Sequence, residues 1–167
     1  MILYIDACAR KESRTRKLAD DLAAKLRGDV EKVVLYSEDI PALDEAGLAE
    51  RDKACGSGDF SADTFRYAKQ FASADTIVIA APFWDLSFPA ILKKYIETIC
   101  VVGITFKYSE QGFPVGLCRA KKVYYVTTSG GPIFNREFGE GYIRTLSQKM
   151  FGISEFECID IQNLDVK

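Results

Sequence analysis

The sequence predicts an α/β fold: a doubly wound, five-stranded parallel sheet with helices on both faces. Three observations carry this reading. Short apolar runs alternate with amphipathic stretches along all 167 residues, the pattern of successive β-α-β units. The short runs are unbroken rather than alternating, as strands are when helices cover both faces of a sheet. The length suits a single such domain, spanning 1–167, and falls short of the roughly 250 residues a closed β/α barrel needs.

Taken in order, Ile2 to Ile5 is a strand that stops at Asp6. Ser13 can cap a helix, because its hydroxyl accepts an orphan N–H of the first turn. Leu18, Leu22 and Leu26, with Ala19 and Ala23, then form one apolar stripe, and Gly28 offers a stop. Val30 to Tyr36 reads as the second strand. Pro41 to Gly58 is polar, carries a Gly-Ser-Gly, and is expected to be a partly helical connection. Ser61 to Ala74 is a helix and Asp75 to Ala80 a fully apolar strand. A loop from Ala81 leads through Pro89 into a helix bearing Ile91, Leu92, Tyr95, Ile96 and Ile99. Ile104 to Leu117 is aromatic and turn-rich, an excursion or hairpin. Lys122 to Thr127 is a strand, Asn135 to Phe151 a helix and Glu157 to Ile161 the last strand. Five strands and three or four helices suit the flavodoxin-like order. Where that fold places a closing helix, past the last strand, this sequence has reached Lys167. One sheet edge is therefore expected to be bare, or covered by a partner subunit or by residues outside this sequence.

Composition narrows the chemistry. Twenty-two Lys and Arg against 24 Asp and Glu leave a net charge of −2, which argues against nucleic acid or an anionic membrane as the main partner. There is no histidine, so Ser-His-Asp and Cys-His catalysis and histidine metal sites are excluded. The five cysteines are widely spaced with no CxxC, which indicates neither a disulfide framework nor a zinc ribbon. No secretory leader pattern opens the sequence and no apolar run approaches the roughly 20 residues of a membrane span. A cytoplasmic location is expected.

In an open parallel sheet the ligand lies beyond the carboxyl ends of the strands, and three loops qualify. The first, Ala7 to Arg16, brings Ser13, Thr15, Lys11 and three arginines, Arg10, Arg14 and Arg16, to a helix N-terminus. Such a collection suits a phosphate dianion. Its plainer reading is a solvated basic first turn, but cations there oppose the helix dipole and want an anion to explain them. Neither a Walker pattern nor GxGxxG follows the strand, so a monophosphate at the end of a planar cofactor fits better than a triphosphate or a dinucleotide. The second loop, Pro82-Phe83-Trp84-Asp85-Leu86 and onward to Pro89, holds the only tryptophan and can edge a flat heterocycle. The third, Thr128-Ser129-Gly130-Gly131, permits close backbone approach. Alone it reads as a turn. The convergence of all three on one edge is the signal.

These residues resemble the FMN-dependent NADH-azoreductase and quinone reductase family. The similarity rests on Ala81 through Ile96, on Gly103-Ile104-Thr105-Phe106-Lys107-Tyr108, on Thr128 to Gly131, and on Ser13-Arg14-Thr15 with Leu18. The resemblance implies a flavodoxin-like fold, a homodimer with FMN at the subunit interface, and ping-pong transfer from NADH or NADPH to quinone, azo or nitro acceptors. It implies that Ser13, Arg14 and Thr15 hold the phosphate, with Arg10 compensating for an earlier serine of the family, which here is Ala7 or Cys8. Pro82, Phe83, Trp84, Asp85 and Leu86 would line the ring and ribityl chain. Thr128, Ser129, Gly130 and Gly131 would line the pyrimidine edge, and Phe106 and Tyr108 the substrate wall. Asp85 stands where the family commonly has asparagine. No side chain is assigned as a catalytic acid or base, since the cofactor carries the chemistry. Two alternatives stay open from the residues: a non-enzymatic FMN electron carrier, and a flavin-less interaction module.

Overall fold

The computed structural model describes residues 1–167. The chain runs β1 (Ile2–Asp6), α1 (Arg14–Ala23), β2 (Val30–Val34), α2 (Glu45–Ser57), α3 (Arg66–Ser73), β3 (Thr76–Ala80), α4 (Ala90–Ile99), β4 (Phe106–Tyr108), β5 (Pro114–Gly116), β6 (Lys122–Thr128), α5 (Tyr142–Thr145) and β7 (Glu155–Ile161). The sheet is entirely parallel in the order β2-β1-β3-β6-β7. Counting its own strands that is 2-1-3-4-5, the flavodoxin-like order with its switch between β1 and β3. β4 and β5 form a separate antiparallel hairpin, as the aromatic, turn-rich stretch suggested.

The three inner strands are buried along most of their length, while the edge strands are more exposed: β2 over Val30–Lys32, and β7 with half-buried and exposed positions interleaved at its start. Period-two alternation sorts the inner residues between two layers. Leu3, Ile5, Ile77, Ile79 and Tyr125 pack with Tyr67, Phe71, Leu92, Tyr95, Ile99 and Phe151 from the α3, α4 and α5 side. Tyr4, Val78, Ala80 and Val126 pack against Ala19, Ala23 and the leucines of α1 on the other. Beyond α1, toward β7, Tyr124 and Ile159 are only partly covered and Ile161 is exposed.

The differences from the sequence reading have local causes. α1 ends at Ala23, and residues 24–26 tighten into turns bonded to Asp20, Leu22 and Ala23. Gly28, at φ +132°, serves the turn into β2 instead of the helix cap. β2 stops at Val34 because Leu35–Ser37 winds into a 3-10 turn that drops Leu35 into the core. The helix expected from Ser61 begins as a 3-10 turn, Asp63–Phe65, and is α-helical only from Arg66. The stretch 137–150 is π-helical at both ends, Glu137–Gly141 and Leu146–Met150, around the short α5. Gly139 and Gly141 weaken the first of these turns.

Candidate functional site

A cleft of about 240 Å³ opens at the carboxyl edge of the sheet, across the β1/β3 switch. One end is an anion cradle. Ser13 caps α1 by accepting from Arg16 N at 3.2 Å. None of the N–H groups from Ala9 to Thr15 donates to any protein acceptor. Seven backbone donors therefore crowd the start of a helix whose dipole adds to their partial charge. Arg10 and Arg14 line the same end, and so does the exposed Glu12.

Arg14 is already paired. Its guanidinium grips Asp165 at 2.7 and 3.3 Å and donates to Leu164 O at 3.3 Å. Segment 163–165 is held over the third loop by bonds from Asn163, Leu164 and Asp165 N–H to Gly131, Ser129 and Gly130 carbonyls. The Asp165 carboxylate rests so near Gly130 that a Cβ there would overlap it. Hydrogen bonding from Arg14 holds the Asp165 carboxyl below its ordinary range.

The other end of the cleft is aromatic. Phe83 N donates to Thr128 O at 3.0 Å, which ties the second loop to the end of β6. Trp84 and Ser87 then exchange backbone bonds of 3.1 and 2.8 Å across a tight turn. Its central residues, Asp85 and Leu86, stand at φ +50° and +68°, the type I′ signature that Asn-Gly normally supplies. A leucine there is strained. The turn lifts Trp84, Asp85 and Leu86 into solvent, while Ser87 Oγ donates to Phe138 O at 2.6 Å. Phe134 and Phe138 stand exposed beside it, at 78% and 56% of their full surface.

Nine of the thirteen expected cofactor residues line this one cleft: Arg10, Ser13, Arg14, Thr15, Pro82, Phe83, Trp84, Thr128 and Gly130. Thr15 and Thr128 share a buried hydrogen bond of 2.7 Å between their hydroxyls, so only one free hydroxyl proton remains between them. Ser129 spends its hydroxyl on Gly131 O at 2.5 Å. Neither it, Gly131, Asp85 nor Leu86 lines the cleft itself. Phe106 is buried and packs edge-on against the exposed Tyr108 within the hairpin; the fold does not bring these two to the cleft.

Sequence reasoning missed three participants. Asp165 lies 151 positions from Arg14, and nothing local announces that contact. Arg16, grouped with the phosphate-facing arginines, turns the other way. It donates to Asp6 at 2.5 Å and to the carbonyls of Cys8, Arg10 and Lys11 at 2.7, 2.7 and 2.8 Å. Asp6, the third, is fully buried at the end of β1; the abrupt charge after an apolar strand was its only signal. No cysteine lines the cleft; the thiol at the start of the loop, Cys8, is buried and pushed up to about 12 by that burial, so it offers no thiolate nucleophile at neutral pH.

The residues fit a flavin mononucleotide. Unbonded N–H groups and arginines would meet its phosphate, and the aromatic turn its ring. Comparisons with known proteins agree. A family model described as a flavodoxin-like fold matches residues 1–166. The chain is 43% identical over 177 aligned positions to FMN-dependent NADH:quinone oxidoreductase 2 of Clostridium acetobutylicum, covering 99% of this chain and 87% of that one. It is 41% identical over 174 positions to the FMN-dependent NADH:quinone oxidoreductase of Clostridium perfringens, with the same coverage. Among solved structures it resembles an azoreductase from Bacillus anthracis (TM-score 0.81, 28% identity, 98% and 87% coverage). An FMN-dependent NADH-azoreductase of that species in complex with FMN gives TM-score 0.77 at 25% identity, with 99% and 88% coverage. Sheet order, cleft and relatives converge: this chain belongs to the flavodoxin-like family of FMN-dependent NADH-azoreductases and quinone reductases.

Proposed function

We propose that the chain is an FMN-dependent oxidoreductase that passes electrons from NADH, or NADPH, to quinone, azo or nitro acceptors, and that it works as a homodimer. The observation that carries this is a donor-rich, phosphate-sized cradle abutting an aromatic ledge in one cleft. FMN, when bound, supplies a two-electron carrier that accepts hydride from the nicotinamide and reduces the acceptor. The protein's part is to bind and orient. Ser13, Arg10, Arg14 and the N–H groups of Ala9 to Thr15 fix the phosphate, and Pro82 to Leu86 edge the ring. The free N–H groups of Asp85, Leu86, Gly130 and Gly131 offer donors to ring and ribityl oxygens. No histidine is needed and no thiolate is available, so protons come from solvent.

At about 240 Å³ the cleft is below the roughly 300–1,000 Å³ usual for an enclosed small-molecule site. It holds the phosphate end and leaves a ring on an open ledge. A second copy supplying the far wall explains the exposed Trp84, Leu86, Phe134 and Phe138 around it.

The test is an absorption spectrum of purified protein with FMN, before and after anaerobic NADH, then with menadione. Bleaching by NADH and recovery with menadione is expected. Bound flavin that NADH leaves oxidised would turn the reading toward an electron carrier, and failure to bind would remove both. Light scattering behind size exclusion reads the dimer.

A further inference from the structure

We propose that Arg16 is a positioning residue: by holding the backbone of residues 8–12 it sets the preference of this site for a phosphorylated flavin over an unphosphorylated one. The inference rests on the flavin reading above. Its basis is the way this loop is held. No backbone hydrogen bond is made by the carbonyls of Cys8, Arg10 or Lys11, and the loop Ala9-Arg10-Lys11-Glu12 contains no glycine. What restrains it is one side chain. Arg16 Nη1 donates to Arg10 O at 2.7 Å and Lys11 O at 2.8 Å, and Nη2 to Cys8 O at 2.7 Å.

The guanidinium is itself clamped. Asp6 Oδ2 accepts from Nε at 2.5 Å and Oδ1 from Nη2 at 3.5 Å. Asp6 Oδ1 also accepts from Cys8 N at 3.0 Å, and Lys32 Nζ approaches Oδ2 at 3.6 Å. Strand end, loop and helix are thus knotted at one guanidinium. All five of its N–H groups are engaged, so Arg16 has none left for a ligand.

The geometry of the peptide unit converts this into a function. In a trans peptide the C=O of one residue and the N–H of the next point in opposite directions. Drawing the carbonyls of residues 8, 10 and 11 toward Arg16 turns the N–H groups of Ala9, Lys11 and Glu12 away from it. Ala9, Arg10, Glu12 and Ser13 line the cleft and Arg16 does not, so the cleft lies on the side to which those donors turn. Lysine could not do the same, because an ammonium lacks the planar fork that reaches two carbonyls and a carboxylate together. Donors of this kind act on the phosphate and leave the ring's contacts with Pro82 to Leu86 untouched.

The experiment compares dissociation constants for FMN and riboflavin, read by flavin fluorescence on the full chain in phosphate-free buffer. Wild type, R16K and R16Q are titrated, with circular dichroism on each. For R16Q the FMN constant should rise at least about tenfold, the equivalent of one charge-assisted hydrogen bond. The riboflavin constant should stay within about twofold, and R16K should fall between R16Q and wild type. Should R16Q not fold, D6N/R16Q removes both buried charges together, which spares the uncompensated carboxylate, and the same loss of discrimination is expected of it. Equal weakening toward both flavins would make Arg16 a purely structural residue and overturn the inference. So would unchanged binding, or a wild type that already holds both flavins equally; each of these leaves the flavin reading standing. A wild type that binds neither flavin removes that reading first, and the inference with it.

Discussion

Leu86 at φ +68° is the clearest case of a residue kept against its own preference. Asp85 beside it stands at φ +50°, and neither N–H has an acceptor within the protein. Leu86→Gly should relieve the strain and raise stability by about 0.5–1 kcal/mol, a gain of about 1–4 °C in Tm for a chain of this size; calorimetry reads it, and a fall in Tm would show the turn unstrained. Trp84 is the only tryptophan and lines the cleft, so its emission reports on nothing else. FMN should quench most of it, and Trp84→Phe should abolish the signal while leaving the far-ultraviolet circular dichroism unchanged. At this scale the sequence was legible where chemistry is local. Ser13 capped its helix as expected, since a cap is decided within four residues. The direction of Arg16 was not legible: three arginines in seven positions look alike until a buried acceptor such as Asp6 claims one of them.

Elements were legible wherever periodicity ran long and unopposed. The leucine stripe of α1 and the isoleucines of β3 lie as their spacing requires. Boundaries slipped where tertiary packing overrode the local pattern, as when Leu35 left β2 to fill the core and when glycines opened the segment after Arg136 into π turns. The hairpin of β4 and β5 shows how tight such packing is. A Cβ on Gly116 would overlap backbone atoms of Phe151 and Gly152, and neither chain can yield as a side chain would. Gly116→Ala should cost about 3 kcal/mol or more, read by urea unfolding. A change below about 1 kcal/mol would show that the hairpin lifts away freely.

For the whole molecule, the absence of histidine becomes a statement about pH. Burial tends to raise Glu140 and Asp160, yet hydrogen bonds from Arg136, joined by Arg144 at Glu140 and Gln162 at Asp160, outweigh it and leave both depressed. Depressed carboxyls lend stability above their unfolded values of about 4.3 and 3.9, and that stability is lost as pH falls through the folded ones. At the other end, burial lifts Cys8, Cys118 and Cys158 to about 12 and Cys100 to about 11. Their neutral forms favour the fold fully below the unfolded value of about 8.5 and progressively less above it. Tm should therefore be nearly flat from about pH 5.5 to 8, dropping on the acid side below about 4.5 and on the alkaline side above about 9. A sharp inflection near pH 6.5 would contradict this. The strand order was readable because right-handed crossovers leave few ways to arrange five parallel strands. The far side of the cleft was not, because Asp165 arrives from beyond the last strand.

That carboxylate bears on how the protein is assembled. Seven unbonded N–H groups and two guanidiniums in one hollow repel one another unless something negative stands among them. With Asp165 on Arg14, the chain carries an internal counter-ion, and its folding need not wait for a cofactor. Apoprotein should refold in phosphate-free buffer to the same secondary structure as the flavin-loaded form. Flavin would then be acquired by a finished protein, after synthesis and by exchange.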